Sequence, residues 1–119
     1  MAERTPSKIH LHKKSRFLEI SFDDGSEFKL SCEYLRVYSP SAEVAGHGPG
    51  QEILQIGKED VNIDSIEPVG NYAIGIFFDD GHSTGIYSWD HLYNLGINQK
   101  EMWANYLKRL SESGYQRKV

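Results

Sequence analysis

Residues 78–92 read FDDGHSTGIYSWDHL, and this segment predicts a strand end, a tight turn, a returning strand and the start of a helix. The Asp80-Gly81 pair lies between two apolar runs, which favours a β-hairpin closed by a type I′ turn with positive φ angles. Ser88 precedes the next apolar run and offers a hydroxyl group that can cap a helix. The segment therefore predicts a hairpin followed directly by a helix.

A second copy of this pattern occurs earlier in the chain. Residues 22–35 read FDDGSEFKLSCEYL, with Asp24-Gly25 at the turn and Ser31 at the helix cap. Both copies contain Phe-Asp-Asp-Gly, and the later copy is one residue longer before its helix. Alternating apolar residues precede each turn, as in half-buried strands. The repeat predicts two hairpin-plus-short-helix units in a mostly antiparallel α+β fold.

Residues 98–113 are predicted to form a C-terminal helix that packs on the core. Its apolar positions recur at helical spacing: Met102, Trp103, Tyr106, Leu107 and Leu110. Asn98 followed by Glu101 resembles a capping box, and Gly114 is typical of a helix end. We expect both Trp103 and Leu107 to be buried under this helix.

The other segments set the expected domain boundaries. Residues 1–7 are predicted to be a flexible terminus, and residues 8–114 a single domain. Ile9 and Leu11 alternate with polar residues, which predicts a half-buried first strand. Residues 39–52 contain three glycines and two prolines without any periodicity, so we expect a long loop of the kind that is often functional. A short strand is expected over residues 53–56.

Composition excludes several classes of function. The chain has 119 residues, of which 39% are hydrophobic and 25% charged, with a net charge of −4; this is typical of a globular protein. Nucleic-acid binding requires a concentrated basic face, so we expect no such partner. No apolar run approaches about 18 residues, and no signal-peptide core is present. We therefore expect a cytoplasmic protein that does not contact a membrane.

Residues with reactive side chains give little support for catalysis. His10 and His12 share one face of the first strand, but two ligands without a third favour an exposed polar face over a metal site. Cys32 follows a helix cap, yet no partner base can be placed beside it. His91 is expected at the surface, and the paired aspartates suit their turns. No hydrolase, P-loop or zinc-protease motif is present, so we expect no enzyme.

Four separate motifs carry a resemblance to a known family. They are Leu35-Arg36, the loop SPSAEVAGHGPG, the turn IEPVGNY and the segment DDGHSTGIYSW. In this order they resemble the gamma-butyrobetaine-hydroxylase-like N-terminal domain, over about residues 8–96. The family includes small standalone bacterial proteins of unassigned activity and the N-terminal domains of 2-oxoglutarate- and iron-dependent carnitine-pathway hydroxylases. In plants the domain is appended to a P-loop iron–sulfur scaffold ATPase.

The resemblance implies a former metal site. In the hydroxylases the domain binds a structural zinc ion through L-R-D-x-C-x-C-x-x-C and a histidine that follows the Asp-Gly turn. The three cysteine positions fall here on Ser39, Ser41 and Val44, and the histidine falls on His82. Hydroxyl groups and a valine cannot replace thiolate ligands. We therefore expect no cofactor.

Two hypotheses for function follow. The 23 residues after Gly96 cannot supply the hydroxylase catalytic domain, so the first hypothesis is a non-catalytic adaptor module for a protein partner, linked to iron–sulfur assembly or to a 2-oxoglutarate-dependent oxygenase. Its predicted contact surface consists of Ser39, Ser41, His47, Gly48, Asp80 and His82. The alternative hypothesis is a zinc- or iron-binding protein. Its remodelled site would consist of His82, His47 and Glu43.

Overall fold

The computed structural model describes residues 5–46 and 52–117. Its elements are β1 (Pro6–His12), β2 (Phe17–Phe22), β3 (Glu27–Ser31), α1 (Cys32–Val37), α2 (Ala42–Ala45), β4 (Ile63–Val69), β5 (Ala73–Phe78), β6 (Gly85–Ser88), α3 (Trp89–Ile97) and α4 (Gln99–Ser113). The strands form two antiparallel three-stranded sheets, ordered β1-β2-β3 and β4-β5-β6. The predicted α+β class, with mostly antiparallel sheet and a C-terminal helix, is confirmed.

Each sheet passes directly into a helix that begins after a serine cap. The Ser31 hydroxyl accepts a hydrogen bond from the backbone N–H of Tyr34 at 3.0 Å. The Ser88 hydroxyl accepts one from the backbone N–H of His91 at 3.1 Å. Because these bonds satisfy N–H groups that the first helical turn leaves without partners, α1 and α3 begin where the sequence predicts.

The two Asp-Asp-Gly turns differ from the predicted type. In the first turn, the N–H of Gly25 donates to the carbonyl of Phe22 at 3.0 Å, and the N–H of Phe22 donates to the carbonyl of Ser26 at 2.8 Å. The second turn has the equivalent two bonds. Only the glycines, Gly25 and Gly81, have positive φ in these turns. This is a type I turn followed by a left-handed glycine bulge, so the type I′ prediction was wrong.

The two repeated units bind each other reciprocally. The hydroxyl group of Tyr34 donates to the carbonyl of Leu95 at 2.8 Å. Nε2 of His91 donates to the carbonyl of Tyr38 at 3.1 Å. Each donor lies three residues after the cap serine of its own unit, and each acceptor lies seven residues after the cap of the other. His91 is therefore half-buried between the units, and the prediction that it lies at the surface was wrong.

The hydrophobic core lies between the two units and is formed by one face of each sheet together with α1 and α3. Its fully buried members include Leu18, Ile20, Leu30, Leu35, Ile63, Ile76, Tyr87 and Leu92. A smaller hydrophobic cluster joins Val37 of α1 to Tyr106 and Leu110 of α4. No helix within residues 5–46 and 52–117 is both long and apolar enough to cross a lipid bilayer.

Two expected segment boundaries differ in the structure. The first strand begins at Pro6, which is within the terminus predicted to be flexible. The predicted loop 39–52 contains the one-turn helix α2. Ser41 caps this helix by accepting a hydrogen bond from the N–H of Glu43 at 3.3 Å. The cap explains why four residues without any apolar periodicity are helical.

Two further local predictions were wrong because the polar groups involved bind elsewhere. Residues 53–56 form no strand: the N–H of Ile53 donates to the carbonyl of Val44 at 2.8 Å, and the carbonyl of Gln55 accepts from Tyr106 at 2.7 Å. Asn98 makes no side-chain cap bond at the start of α4. Its side-chain amide instead donates to the carbonyl of Asn94, at the end of α3, at 3.1 Å.

The helix α4 provides a matched pair of leucines for a stability test. Leu110 is 2% exposed, whereas Leu107 is 39% exposed, so the expectation that Leu107 is buried was wrong. We predict that Leu110→Ala lowers the free energy of unfolding by about 2–5 kcal/mol, because it leaves a cavity. Leu107→Ala should cost less than about 1 kcal/mol. Chemical denaturation of both variants measures this, and equal costs would contradict the observed packing of α4.

Candidate functional site

The carboxylate of Asp80 joins three segments at the second turn. Its Oδ1 atom accepts from the N–H of His82 at 3.1 Å. Its Oδ2 atom accepts from Nε of Arg36 at 2.9 Å and from Nζ of Lys58 at 2.7 Å. Burial alone would raise the pKa of Asp80, but these hydrogen bonds outweigh it and lower the pKa to about 2. The carboxylate is therefore ionised at neutral pH and fixes the turn against α1.

His82 is 5% exposed, and both nitrogens of its imidazole have a partner. Nδ1 lies 3.0 Å from Oε2 of Glu43, and Nε2 lies 2.9 Å from Oγ of Ser39. A carboxylate only accepts hydrogen bonds, so Nδ1 carries the proton and Nε2 accepts from the Ser39 hydroxyl group. Burial, followed by repulsion from Arg36, lowers the pKa of His82, although Glu43 and Asp80 act in the opposite direction. The ring is therefore neutral at pH 7.

Ser41 attaches α2 to the segment that leads into β6. Its hydroxyl group lies 2.7 Å from the hydroxyl group of Thr84, and its N–H donates to Oγ of Ser39 at 3.3 Å. The backbone at Gly85 lies so close to Ser39 that a Cβ atom added at Gly85 would be 2.6 Å from Oγ of Ser39. Any side chain at position 85 would thus displace the serine that binds His82. We call Ser39, Ser41, Glu43, His82 and Thr84 the polar cluster.

The structure brings together most of the residues that the sequence singled out. Ser39, Ser41 and His82 lie in the polar cluster, and Val44 is buried on α2. Asp80 holds the turn that carries His82. His47 and Gly48 lie outside the described residues.

The exposure of these side chains changes the predicted contact surface. Ser39, Ser41 and His82 are buried, so they support a surface and do not form it. Among the residues that the structure describes, the exposed groups around α2 include Glu43 and Thr84 of the polar cluster and Ile53, whose N–H binds the carbonyl of Val44. The side chain of Glu43 is 63% exposed, and Ile53 is 53% exposed. We call Glu43, Ile53 and Thr84 the α2 surface.

The residues of the polar cluster do not fit the structural zinc site that the resemblance implies. Of the four ligand positions, only His82 offers a strong zinc ligand, and its Nε2 atom is bonded to Ser39. Closed zinc sites have four N or S ligands. Within residues 5–46 and 52–117, Glu43 and His82 belong to no group of three metal-ligating side chains.

Two buried polar groups of α1 differ in how they are satisfied. Cys32 is fully buried, and burial raises the pKa of its thiol to about 11, so the thiolate is not formed at neutral pH. Arg36 is 7% exposed, and its Nη1 atom has no hydrogen-bond partner within the two described ranges. Arg36 thus binds Asp80 through Nε and retains an available donor.

In the first unit, the position equivalent to the polar cluster contains different residues. Asp24 accepts from the N–H of Ser26 at 2.9 Å and from the hydroxyl group of Tyr93 at 2.8 Å. Tyr93 lies five residues after its cap serine, as Arg36 does in the other unit. A Cβ atom added at Gly96 would lie 2.4 Å from the ring of Phe28. The aromatic ring of Phe28 therefore fills the space beside Gly96, the position equivalent to Ser39.

Sequence reasoning recognised the repeat but missed this exchange between the units. The signal lies in the spacing from each cap serine: Phe28 and Gly85 are both three residues before a cap, and Gly96 and Ser39 are both eight residues after one. In the structure Phe28 meets Gly96 and Ser39 meets Gly85, so each contact joins a glycine to a residue that has a side chain. The glycine is on the helix α3 in the first contact and on the strand β6 in the second, which an alignment on the two caps would show.

Comparisons with known proteins agree with this fold. The family model described as gamma-butyrobetaine hydroxylase-like, N-terminal, matches residues 9–93. A solution NMR structure is 55% identical, with a TM-score of 0.82 over 97% of this chain and 86% of that chain. A second is 44% identical, with a TM-score of 0.84 over 98% and 91%.

A crystal structure from Acidithiobacillus ferrooxidans is also similar. That protein has unknown function and belongs to the DUF971 family; it is 37% identical, with a TM-score of 0.65 over 76% of this chain and 91% of that chain. The comparison with curated proteins found no match.

One buried and one half-buried histidine predict that the stability of the protein depends on pH. Burial is the main cause that lowers the pKa of both His82 and His91 below 6.5, so the unfolded chain binds protons more readily. Their contribution to stability is complete above about pH 6.5 and is lost as the pH falls through the folded-state pKa values. We predict that the free energy of unfolding decreases from about pH 7 to about pH 5.

Denaturation at a series of pH values measures this effect. His82→Gln should flatten the dependence, because it removes one of the two titrating groups. His10→Gln changes an exposed side chain and provides the control. A profile that is equally steep in His82→Gln and in the unchanged protein would show that the buried imidazole of His82 does not contribute.

Proposed function

Because the chain belongs to the gamma-butyrobetaine hydroxylase-like, N-terminal family, we propose that it is a non-catalytic interaction module that binds a protein partner through the α2 surface. The matched segment, residues 9–93, corresponds to an N-terminal domain and contains no hydroxylase catalytic domain. The described relative from the DUF971 family has unknown function. The proposal therefore depends on the site itself.

The observation that carries the proposal is the difference between the two repeated units. Both units have the same turn, cap and reciprocal helix contacts, yet one position contains an aromatic ring and the other the polar cluster. The fold can therefore be built with an apolar residue there. Burying polar groups is costly unless each is hydrogen-bonded. A role outside folding, such as holding α2 and its exposed side chains in one position, accounts for the polar cluster.

The chemistry of the α2 surface indicates what the partner presents. Glu43 is fixed by its bond to His82, while much of its carboxylate side chain remains exposed. Ile53, whose N–H binds the carbonyl of Val44 on α2, offers an apolar contact, and Thr84 offers a hydroxyl group. A matching partner segment would present an apolar side chain next to a lysine or arginine. The family resemblance suggests an iron–sulfur assembly protein or a 2-oxoglutarate-dependent oxygenase as the partner class.

Affinity capture with a matched pair of variants tests the proposal. We predict that Ile53→Asp removes a specific partner from the proteins captured in a lysate of the native host, as measured by quantitative mass spectrometry. Ile97→Asp changes an equally exposed isoleucine on α3, 56% against 53%, and should retain that partner. With the purified partner, Ile53→Asp should weaken binding at least about tenfold. No difference between the two variants would contradict the α2 surface as the contact.

The alternative, a zinc or iron site formed by His82, His47 and Glu43, has one observation in its favour, the 3.0 Å contact between Glu43 and His82. Metal analysis of untagged protein after gel filtration separates the two functions. We predict that His82→Ala does not change the zinc or iron content, because the nitrogen atoms of His82 serve in hydrogen bonds. One metal ion per chain that is lost with His82 would replace the interaction module with a metal-binding protein.

A further inference from the structure

A separate cluster of metal-ligating side chains lies on the outer face of the first sheet. His10 and His12 are two residues apart on β1, so both side chains project from the same face. Glu19 is directly opposite His10 on β2. The sequence alone shows only the two histidines, because the third group is brought beside them by the strand register.

The geometry of this cluster is compact. Oε1 of Glu19 lies 2.9 Å from Nε2 of His12, and the rings of His10 and His12 stack with their centroids 4.2 Å apart. One ligand atom from each of the three side chains lies within 4.8 Å of the other two. Among residues 5–46 and 52–117, this is the one group of three or more such side chains that close together.

We propose that His10, His12 and Glu19 form a surface site for a divalent transition-metal ion of the nickel, copper and zinc group. Imidazole suits these ions, and zinc also binds carboxylate oxygens. Metal–ligand distances of about 2.0–2.2 Å require the three ligand atoms to move closer together by side-chain rotation. The ion would have three protein ligands and retain open positions toward solvent.

A neighbouring aromatic ring orients one of the three ligands before the ion binds. The ring of His12 stacks on Phe17 with the centroids 4.3 Å apart, which restricts the rotation of one ligand before the ion arrives. Such pre-orientation lowers the cost of ordering the site.

One lysine contacts the same carboxylate and opposes the ion, and a second lysine lies on the neighbouring strand. Nζ of Lys8 lies 3.5 Å from Oε2 of Glu19, and Lys29 is opposite Glu19 on β3. The positive charge of Lys8 lies beside the carboxylate that would bind the ion, so it repels the ion. Removal of this lysine should therefore strengthen metal binding, whereas a purely structural role for the histidines predicts no such effect.

Titration of the untagged protein with Zn²⁺ tests this site. Calorimetry should show one ion per chain, and NMR should show the imidazole signals of His10 and His12 shifting while those of His82 stay in place. His10→Ala and His12→Ala should each weaken binding at least about tenfold, and Lys8→Ala should strengthen it. All three changes are on side chains of β1 that are not fully buried, and circular dichroism checks that the variants fold.

The outcomes are distinct from those for the α2 surface. Absence of saturable Zn²⁺ binding would overturn the site on β1 and β2. So would binding that survives the loss of both His10 and His12, or binding that disappears in His82→Ala alone. Capture of a partner through Ile53 neither supports nor weakens this inference, because the two sites share no residue.

Discussion

The Asp80 carboxylate is the interaction on which the arrangement of the polar cluster depends. It binds the N–H of His82 through one oxygen and two cationic side chains through the other. Charge-assisted hydrogen bonds of this kind are stronger than neutral ones. The turn, the first helix and the segment that contains Lys58 are therefore held in one geometry. Without that geometry, His82 would not reach Ser39 and Glu43.

The two repeated units show how one framework supports two different interiors. In both units the turn aspartate accepts a hydrogen bond from the residue two positions later and from a residue on the other unit's helix. The helix residue is Tyr93 in one contact and Arg36 in the other. Phenol and guanidinium groups are both donors, so the framework tolerates the exchange. The neighbouring space then takes an aromatic ring beside Tyr93 and a polar network beside Arg36.

Local features of the fold could be predicted from the sequence, whereas features that depend on pairing between distant segments could not. The cap serines and the turn glycines were recognised because a few adjacent residues determine them. The exposure of Leu107 and the burial of His91 depend on which helix face meets the other unit, and periodicity alone does not decide this. In the site, the resemblance located Ser39, Ser41 and His82, but the partnership of Glu19 with the two strand histidines required the register of β1 on β2.

The reciprocal contacts between the units have a consequence for how the chain folds. The carbonyls of Leu95 and Tyr38 accept hydrogen bonds from donors that are 61 and 53 residues away in sequence. Neither half of the chain can make these bonds alone, so the halves are expected to order together in one cooperative step. Contacts of such sequence separation slow folding, since a long loop must close before they form. The repeat is thus a pair of interdependent halves, and a ribosome must release most of the chain before either half is complete.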